Sequence, residues 1–265
     1  MNIGLIVVGD ESLSGKRQDK HLAKVIELLA ARALALSWAR YVGDDRERIT
    51  ECLRDAFASG DLVFSCGGIG ATPDDHTRQS AAAALGLPLV LHDTARLLIL
   101  QRMQEVAAEQ GLPFEPERHD NRHRLNMGMF PQGAAIIPNP YNRIAGFSVG
   151  TVYFVPGFPV MAWPMIEWVL DTQHAQLLGG QAPVEKSIIV LGGMEALLTP
   201  LMEDIEARFA GVKVFSLPSV DPTHPLGRHI ELGVKGPAAL VDQAYSALRA
   251  GLGALGARCG PEMVR

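Results

Sequence analysis

Leu62-Val63-Phe64-Ser65-Cys66-Gly67-Gly68-Ile69-Gly70-Ala71-Thr72-Pro73-Asp74-Asp75-His76-Thr77 is the stretch from which the rest of this chain is read. An apolar run predicts a strand. Three glycines follow at once, and then Thr72-Pro73 reads as a helix start. A glycine turn between a strand and a helix lets backbone amides approach an anion, and the helix end adds partial positive charge. The same glycines also suit a plain tight turn. Asp74 and Asp75 are the puzzle, because they place negative charge where a phosphate would sit.

Working outward, the flanking segments alternate. Ile3 to Val8 reads as a buried strand and Gly9 to Gly15 as a loop, and residues 19–34 have helical spacing. Leu36 to Val42 reads as a strand, 45–58 as a helix, Leu62 to Ser65 as the third strand, and a helix runs from the glycine loop to Ala84. This alternation predicts a parallel sheet covered by helices on both faces, with ligands at the carboxyl ends of the strands. Further on, 94–110 reads as a helix, 113–128 as loop, Ala134 to Ile137 and Thr151 to Val155 as strands, and Met161 to Leu170 as a helix. Gly179 to Pro183 reads as a linker. After it come strand 187–191, helix 195–209, strands 212–217 and 228–234, and helix 237–250, which make a small α+β unit.

The 265 residues are 48% apolar, enough for a full core, and Lys+Arg 24 against Asp+Glu 29 gives a net charge of −5. That balance argues against a nucleic-acid or membrane-surface binder. Cys52, Cys66 and Cys259 show no C-x-x-C spacing, so a reducing compartment fits better than a disulfide framework. No signal peptide is legible at the start. The apolar stretch 152–170 carries Pro156, Gly157, Pro159 and Pro164, and reads as strand, loop and helix rather than a membrane span. A cytoplasmic location is the expectation.

Two readings stand side by side at each motif. Thr72 as N-cap and Asp75 at N3 form a capping box, where first-turn carboxylates stabilise by about 0.3–1 kcal/mol. If Asp75 instead works beside a phosphate, a divalent cation bridges them, or the carboxylate faces the non-anionic part of a ligand or acts as a general base. The loop Gly9 to Asp19 opens on the same sheet edge, with Lys16 and Arg17 to neutralise charge; Asp19 also suits a helix N-cap. Gly157, in Val155-Pro156-Gly157-Phe158-Pro159, either approaches an anion or makes an ordinary turn. His119 and His123, four apart among arginines, read as a metal pair or a solvated basic surface. Cys66 reads as strand packing.

Taken in order, Gly9-Asp10-Glu11 with Ser14-Gly15 and Asp19, Val42-Gly43-Asp44-Asp45, Gly67 through Thr77, Pro138-Asn139-Pro140, Gly146-Phe147 and Val155 through Pro159 resemble the molybdopterin-binding (MoaB/Mog-like) superfamily. The match is nearest to the N-terminal part of the competence/damage-inducible protein A (CinA) group, and residues 187–250 resemble its small KH-like middle domain. The resemblance implies a three-layer α/β/α domain with a mostly parallel sheet over 1–176, and an α+β domain over 185–255. It also implies a pterin- or nucleotide-phosphate ligand, and ADP-ribose pyrophosphatase activity with a divalent metal ion.

On that reading Asp75 and Asp74 bind the metal or activate water. Gly67, Gly68, Gly70 and Gly157 supply amides, and Asp10, Ser14 and Asp19 line the opposite wall, with Thr72, Thr77, Gly15 and Pro159 alongside. A non-catalytic binder of molybdopterin or a nucleotide, acting in molybdenum cofactor metabolism, is the alternative. A homo-oligomer is expected by analogy. The chain departs from the family in three ways. It ends at Arg265, so no amidase domain and no nicotinamide mononucleotide deamidation are expected. Lys20 and His21 stand where the family carries small polar residues, and Ile69 replaces a threonine common in the molybdenum-insertion branch.

Overall fold

β1 (Ile3–Val8) is buried at every position, as a strand with helices on both faces must be. The computed structural model describes residues 2–177, 179–180, 184–221 and 223–265. The chain divides into two units, Met1–Leu178 and Gly179–Arg265. Of the expected linker, residues 181–183 lie outside the described residues.

After β1 the first unit runs through α1 (Asp10–Leu13), α2 (His21–Ala30), β2 (Trp38–Val42), α3 (Arg46–Ser59), β3 (Leu62–Cys66) and α4 (Thr77–Leu85). It continues with β4 (Leu89–Leu91), α5 (Asp93–Glu109), α6 (His119–Leu125), β5 (Met129–Pro131), β6 (Ala135–Ile137), β7 (Gly146–Val149), β8 (Val152–Val155) and α7 (Pro159–Trp168). Six strands form one sheet in the order β2-β1-β3-β8-β7-β6. The first four are parallel, and β7 and β6 are antiparallel. The sheet is thus mostly parallel, as expected.

Alternation along each strand sorts side chains into two cores. Leu5, Val7, Phe64 and Val155 pack against α2 and α7 through Val25, Leu29, Met165 and Ile166. Ile6, Val8, Val63 and Phe154 pack on the other face against α3 and α4 through Ile49, Leu53 and Ala81. That is the three-layer arrangement. The two flanking helices end cleanly: Gly60 after α3 and Gly86 after α4 adopt the left-handed conformation that glycine tolerates.

Several elements differ from the sequence reading. The loop from Gly9 contains the single turn α1. The segment read as loop at 113–128 holds α6 and a 3-10 turn at Asn126–Gly128. β4, β5 and β7 were not expected; all are three- or four-residue strands, too short for an alternation pattern to register. The helix expected from Thr72 begins instead at Thr77.

In the second unit β9 (Val184–Leu191), α8 (Glu195–Arg208), β10 (Lys213–Ser219), β11 (His229–Gly236), α9 (Ala238–Ala254) and β12 (Cys259–Val264) alternate as a split βαβ pair. The sheet order is β10-β11-β9-β12, antiparallel throughout. β12 extends the expected α+β unit beyond 255. It was hidden by Gly260 and Pro261 and by a register shift between Cys259 and Glu262, features that only an edge strand accommodates. Among the described residues no helix is long and apolar enough to cross a membrane.

Candidate functional site

Parallel strands deliver their following loops to one edge, and here the loops after β1, β2, β3 and β8 meet there. They enclose a cleft of about 380 Å³, lined by Gly9, Glu11, Ser12, Arg17 and His21 on one side and Gly67 through Thr72 on the other, with Asp44, Asp74, Asp75, Gly157 and Phe158 completing the walls.

The glycine loop is built by close approaches. Gly67 and Gly68 have φ of 106° and 68°, in the region that favours glycine. A Cβ on Gly67 would run into the Val8 carbonyl, and one on Gly157 would sit 3.3 Å from the Gly67 Cα. Gly67 N–H donates to the Val155 carbonyl at 3.0 Å, which ties the loop to β8. At the far end Thr77 N–H donates to the Gly68 carbonyl at 2.9 Å, and the Thr77 hydroxyl donates to the Gly67 carbonyl at 3.0 Å. Those two bonds draw the chain back on itself and explain why α4 starts at Thr77. Among the described residues, no protein acceptor meets the backbone N–H groups of Gly68, Ile69, Gly70 or Ala71.

Asp75 therefore does not cap a helix. Its Oδ2 accepts the Thr72 N–H at 2.9 Å and also the Thr72 hydroxyl, closing a turn whose backbone bond runs from Asp75 N–H to the Thr72 carbonyl at 3.1 Å. Gly70 makes room for that carboxylate, since a Cβ there would lie 2.5 Å from Oδ2. The Thr72 side chain, and secondarily its own N–H, holds the exposed Asp74 carboxyl below its ordinary range. Behind the loop Arg78, 3% exposed, donates to the Gly70 carbonyl, while its Nε and Nη1 meet no partner. Burial pulls its guanidinium down, and the charge of Asp75 opposes that pull.

The opposite wall is held by acids acting on backbone. Asp10 and Asp44 exchange bonds, Asp10 N–H to Asp44 Oδ2 at 2.9 Å and Asp44 N–H to Asp10 Oδ1 at 3.1 Å. Burial raises Asp44, the Asp10 N–H lowers it, and the charges of Asp10, Asp74 and Glu11 raise it further, so its carboxyl ends above the ordinary value. Asp19 accepts the N–H groups of His21 at 2.8 Å and Leu22 at 3.0 Å and the Tyr41 hydroxyl at 2.7 Å. Burial raises Asp19, but these bonds outweigh it and leave the carboxyl lowered. His21, 5% exposed, turns its Nε2 to the Gly157 carbonyl at 3.0 Å.

Of the residues expected to form the site, Gly67, Gly68, Gly70, Thr72, Asp74, Asp75 and Gly157 come together in the cleft. Asp10, Ser14, Gly15, Asp19, Thr77 and Pro159 do not line it. Asp10 and Asp19 order the loop, Ser14 ends α1 and Gly15 follows it at φ 74°, Thr77 braces the glycine loop, and Pro159 opens α7. Asp44, Glu11, Arg17 and His21 line the cleft without having been assigned to it; a position just after β1 or β2 was the available signal for Asp44 and Glu11. Met127 and Ile144 reach it from segments that carry no such signal. Cys66 sits in the floor, and burial pushes its thiol far up, which keeps it protonated as strand packing requires. His119 and His123 lie on α6 with Nε2 atoms 3.3 Å apart.

The residues bear on a metal in one limited way. Among the described residues no group of three or more His, Cys, Asp or Glu side chains converges on a metal position. A cation carried by ligand phosphates needs only one or two carboxylates. Asp75, whose Oδ1 receives no hydrogen bond among the described residues, and Asp74 meet that smaller requirement.

Comparison with known proteins agrees with this geometry. The family model described as "Probable molybdopterin binding domain" matches residues 4–176. A CinA-like protein of Syntrophotalea carbinolica is 30% identical over 221 residues, covering 79% of this chain and 51% of that protein. A CinA-like protein of Anaeromyxobacter dehalogenans is 30% identical over 222 residues, covering 80% and 51%. The chain thus spans about half the length of these curated relatives. The crystal structure of CinA from Thermoplasma acidophilum, described as of unknown function, superposes with a TM-score of 0.54 at 26% identity, covering 68% of this chain and 100% of that one. With the fold, the loop constellation and the family match in agreement, the chain belongs to the molybdopterin-binding domain family and is CinA-like.

Proposed function

We propose that the cleft holds the phosphate of a pterin or a nucleotide. One observation carries this reading: four consecutive N–H groups, Gly68 to Ala71, lack protein acceptors on a glycine loop at the carboxyl end of a parallel strand. Successive amides of this kind form an anion-binding concavity. Arg17 on the facing wall supplies a positive charge, and the family description supports a pterin as one ligand class. Apolar Met127, Ile144 and Phe158 offer a surface for the flat organic part of the ligand.

A second reading, hydrolysis of a nucleotide pyrophosphate such as ADP-ribose, is favoured by the acidic side of the same cleft. Asp75 and Asp74 would hold a divalent cation together with phosphate oxygens. That ion, when bound, supplies neutralisation of charge at the phosphates. Thr72 fixes the Asp75 carboxylate through its N–H and hydroxyl, and the loop amides orient the phosphate oxygens. Incubation with ADP-ribose and a panel of divalent metals, with product analysis and calorimetry in parallel, separates the readings. Hydrolysis predicts turnover that Asp75→Asn abolishes with the fold intact; full hydrolysis by that variant refutes the role of Asp75. Stoichiometric binding without turnover under any metal supports the binder alone. The absence of both binding and turnover with ADP-ribose and with a pterin phosphate overturns the assignment of the cleft.

A further inference from the structure

We infer that His21 is a ligand-binding residue of the cleft, donating from Nδ1, as an imidazolium, to the bound anion. The inference rests on the reading of the cleft as a phosphate site. His21 stands at the first position of α2, where the neighbouring Asp19 takes up the helix N–H groups of His21 and Leu22. The His21 Nε2 lies 3.0 Å from the Gly157 carbonyl, which can only accept, so Nε2 carries a proton. That contact fixes the ring and leaves Nδ1 as the ring atom that can meet a ligand. Among the described residues Nδ1 is buried and meets no partner, in a side chain that lines the cleft beside Gly67 and Gly157. Leaving a buried polar atom without a partner is unfavourable. An anion seated on the loop amides gives Nδ1 an acceptor and removes that cost.

The charge balance of the cleft points the same way. The groups that share it with His21 are Glu11 and Arg17 from the first loop, Asp44 after β2, and Asp74, Asp75 and Cys66 from β3 and its loop. Asp19 adjoins it at the helix start. β1 carries no titratable side chain, and α7, which packs on α2, carries only Glu167. Four carboxylates against one arginine repel an anion. A proton on Nδ1 adds a cation to the wall of the cleft at the start of α2.

Uniformly 15N-labelled protein titrated with sodium sulfate at constant ionic strength tests this, because sulfate stays divalent from pH 5 to 8. The expected result is movement of the amide signals of residues 68–71 together with the Nδ1 signal of His21. Affinity should fall with rising pH and level off at the affinity that the loop amides and Arg17 supply by themselves. His21→Gln should flatten that slope. Amide movement with an unmoved His21 signal and a slope identical in His21→Gln overturns the role of His21 and leaves the phosphate site standing. No amide movement at any pH overturns both. The wild-type titration is decisive even if the variant does not fold.

Discussion

Removing the Asp19 carboxylate should destabilise the first unit, because its oxygens are committed to backbone and to Tyr41. In Asp19→Ala the His21 and Leu22 N–H groups, now bonded at 2.8 and 3.0 Å, lose their cap. Loss of an N-terminal cap costs about 0.5–2 kcal/mol. The Tyr41 hydroxyl, bonded at 2.7 Å, belongs to a side chain exposed enough for water to replace Asp19, so it adds little. The expected total is about 1–2.5 kcal/mol, or about 2–10 °C in Tm for a unit of this size. Asp19→Asn keeps one acceptor oxygen and should lose about half of that. Trp38, Trp163 and Trp168 all lie in the first unit, so tryptophan fluorescence during denaturation reports on it. The pH dependence has a definite sign. The folded carboxyl titrates below the ordinary 3.8, so its contribution is fully present above that value and disappears as pH falls through the lowered one. Wild type and Asp19→Ala should therefore differ at neutral pH and converge in acid. Equal midpoints at neutral pH would refute the capping role, and a difference that persists unchanged in acid would refute its dependence on charge.

Two further substitutions probe the frame of the glycine loop. Gly67→Ala forces a side chain into a φ of 106° and against the Val8 carbonyl, and should cost more than about 2 kcal/mol; an unchanged denaturation midpoint would contradict the close approach. Thr77→Val keeps volume and backbone but deletes the hydroxyl that donates to the buried Gly67 carbonyl, and should cost about 1–3 kcal/mol, with faster amide exchange at residues 67–71 as the signature of a loosened loop.

Much of the fold was legible because its central strands are buried on both faces. Ile3–Val8 and Leu62–Cys66 have to be apolar along their length, and helices with periodic apolar faces must alternate with them. What was not legible was short or pairing-dependent. β4 and β5 are three-residue strands that pair only with each other, and β12 contains a proline that only an edge position accepts. Six of the seven residues of α6 are polar or charged, so it has no apolar period to read.

The local chemistry of the cleft is written in the chain: a strand, then Gly67-Gly68-Ile69-Gly70, then a carboxylate pair, on the side of the sheet where parallel strands present their loops. The role of each acid is not written there. Thr72-Pro73-Asp74-Asp75 has the spacing of a capping box, and Asp19 has the spacing of both a cap and a cleft wall. Tertiary contacts decided between them. Thr77 bonds back to Gly67 and Gly68, which delays the helix and turns Asp75 toward Thr72 in the cleft. Tyr41, brought in from β2, joins the helix amides on Asp19 and fixes it as a cap. A carboxylate's function depends on which donors reach it, and those donors come from residues distant in sequence that only the assembled sheet brings within hydrogen-bond range.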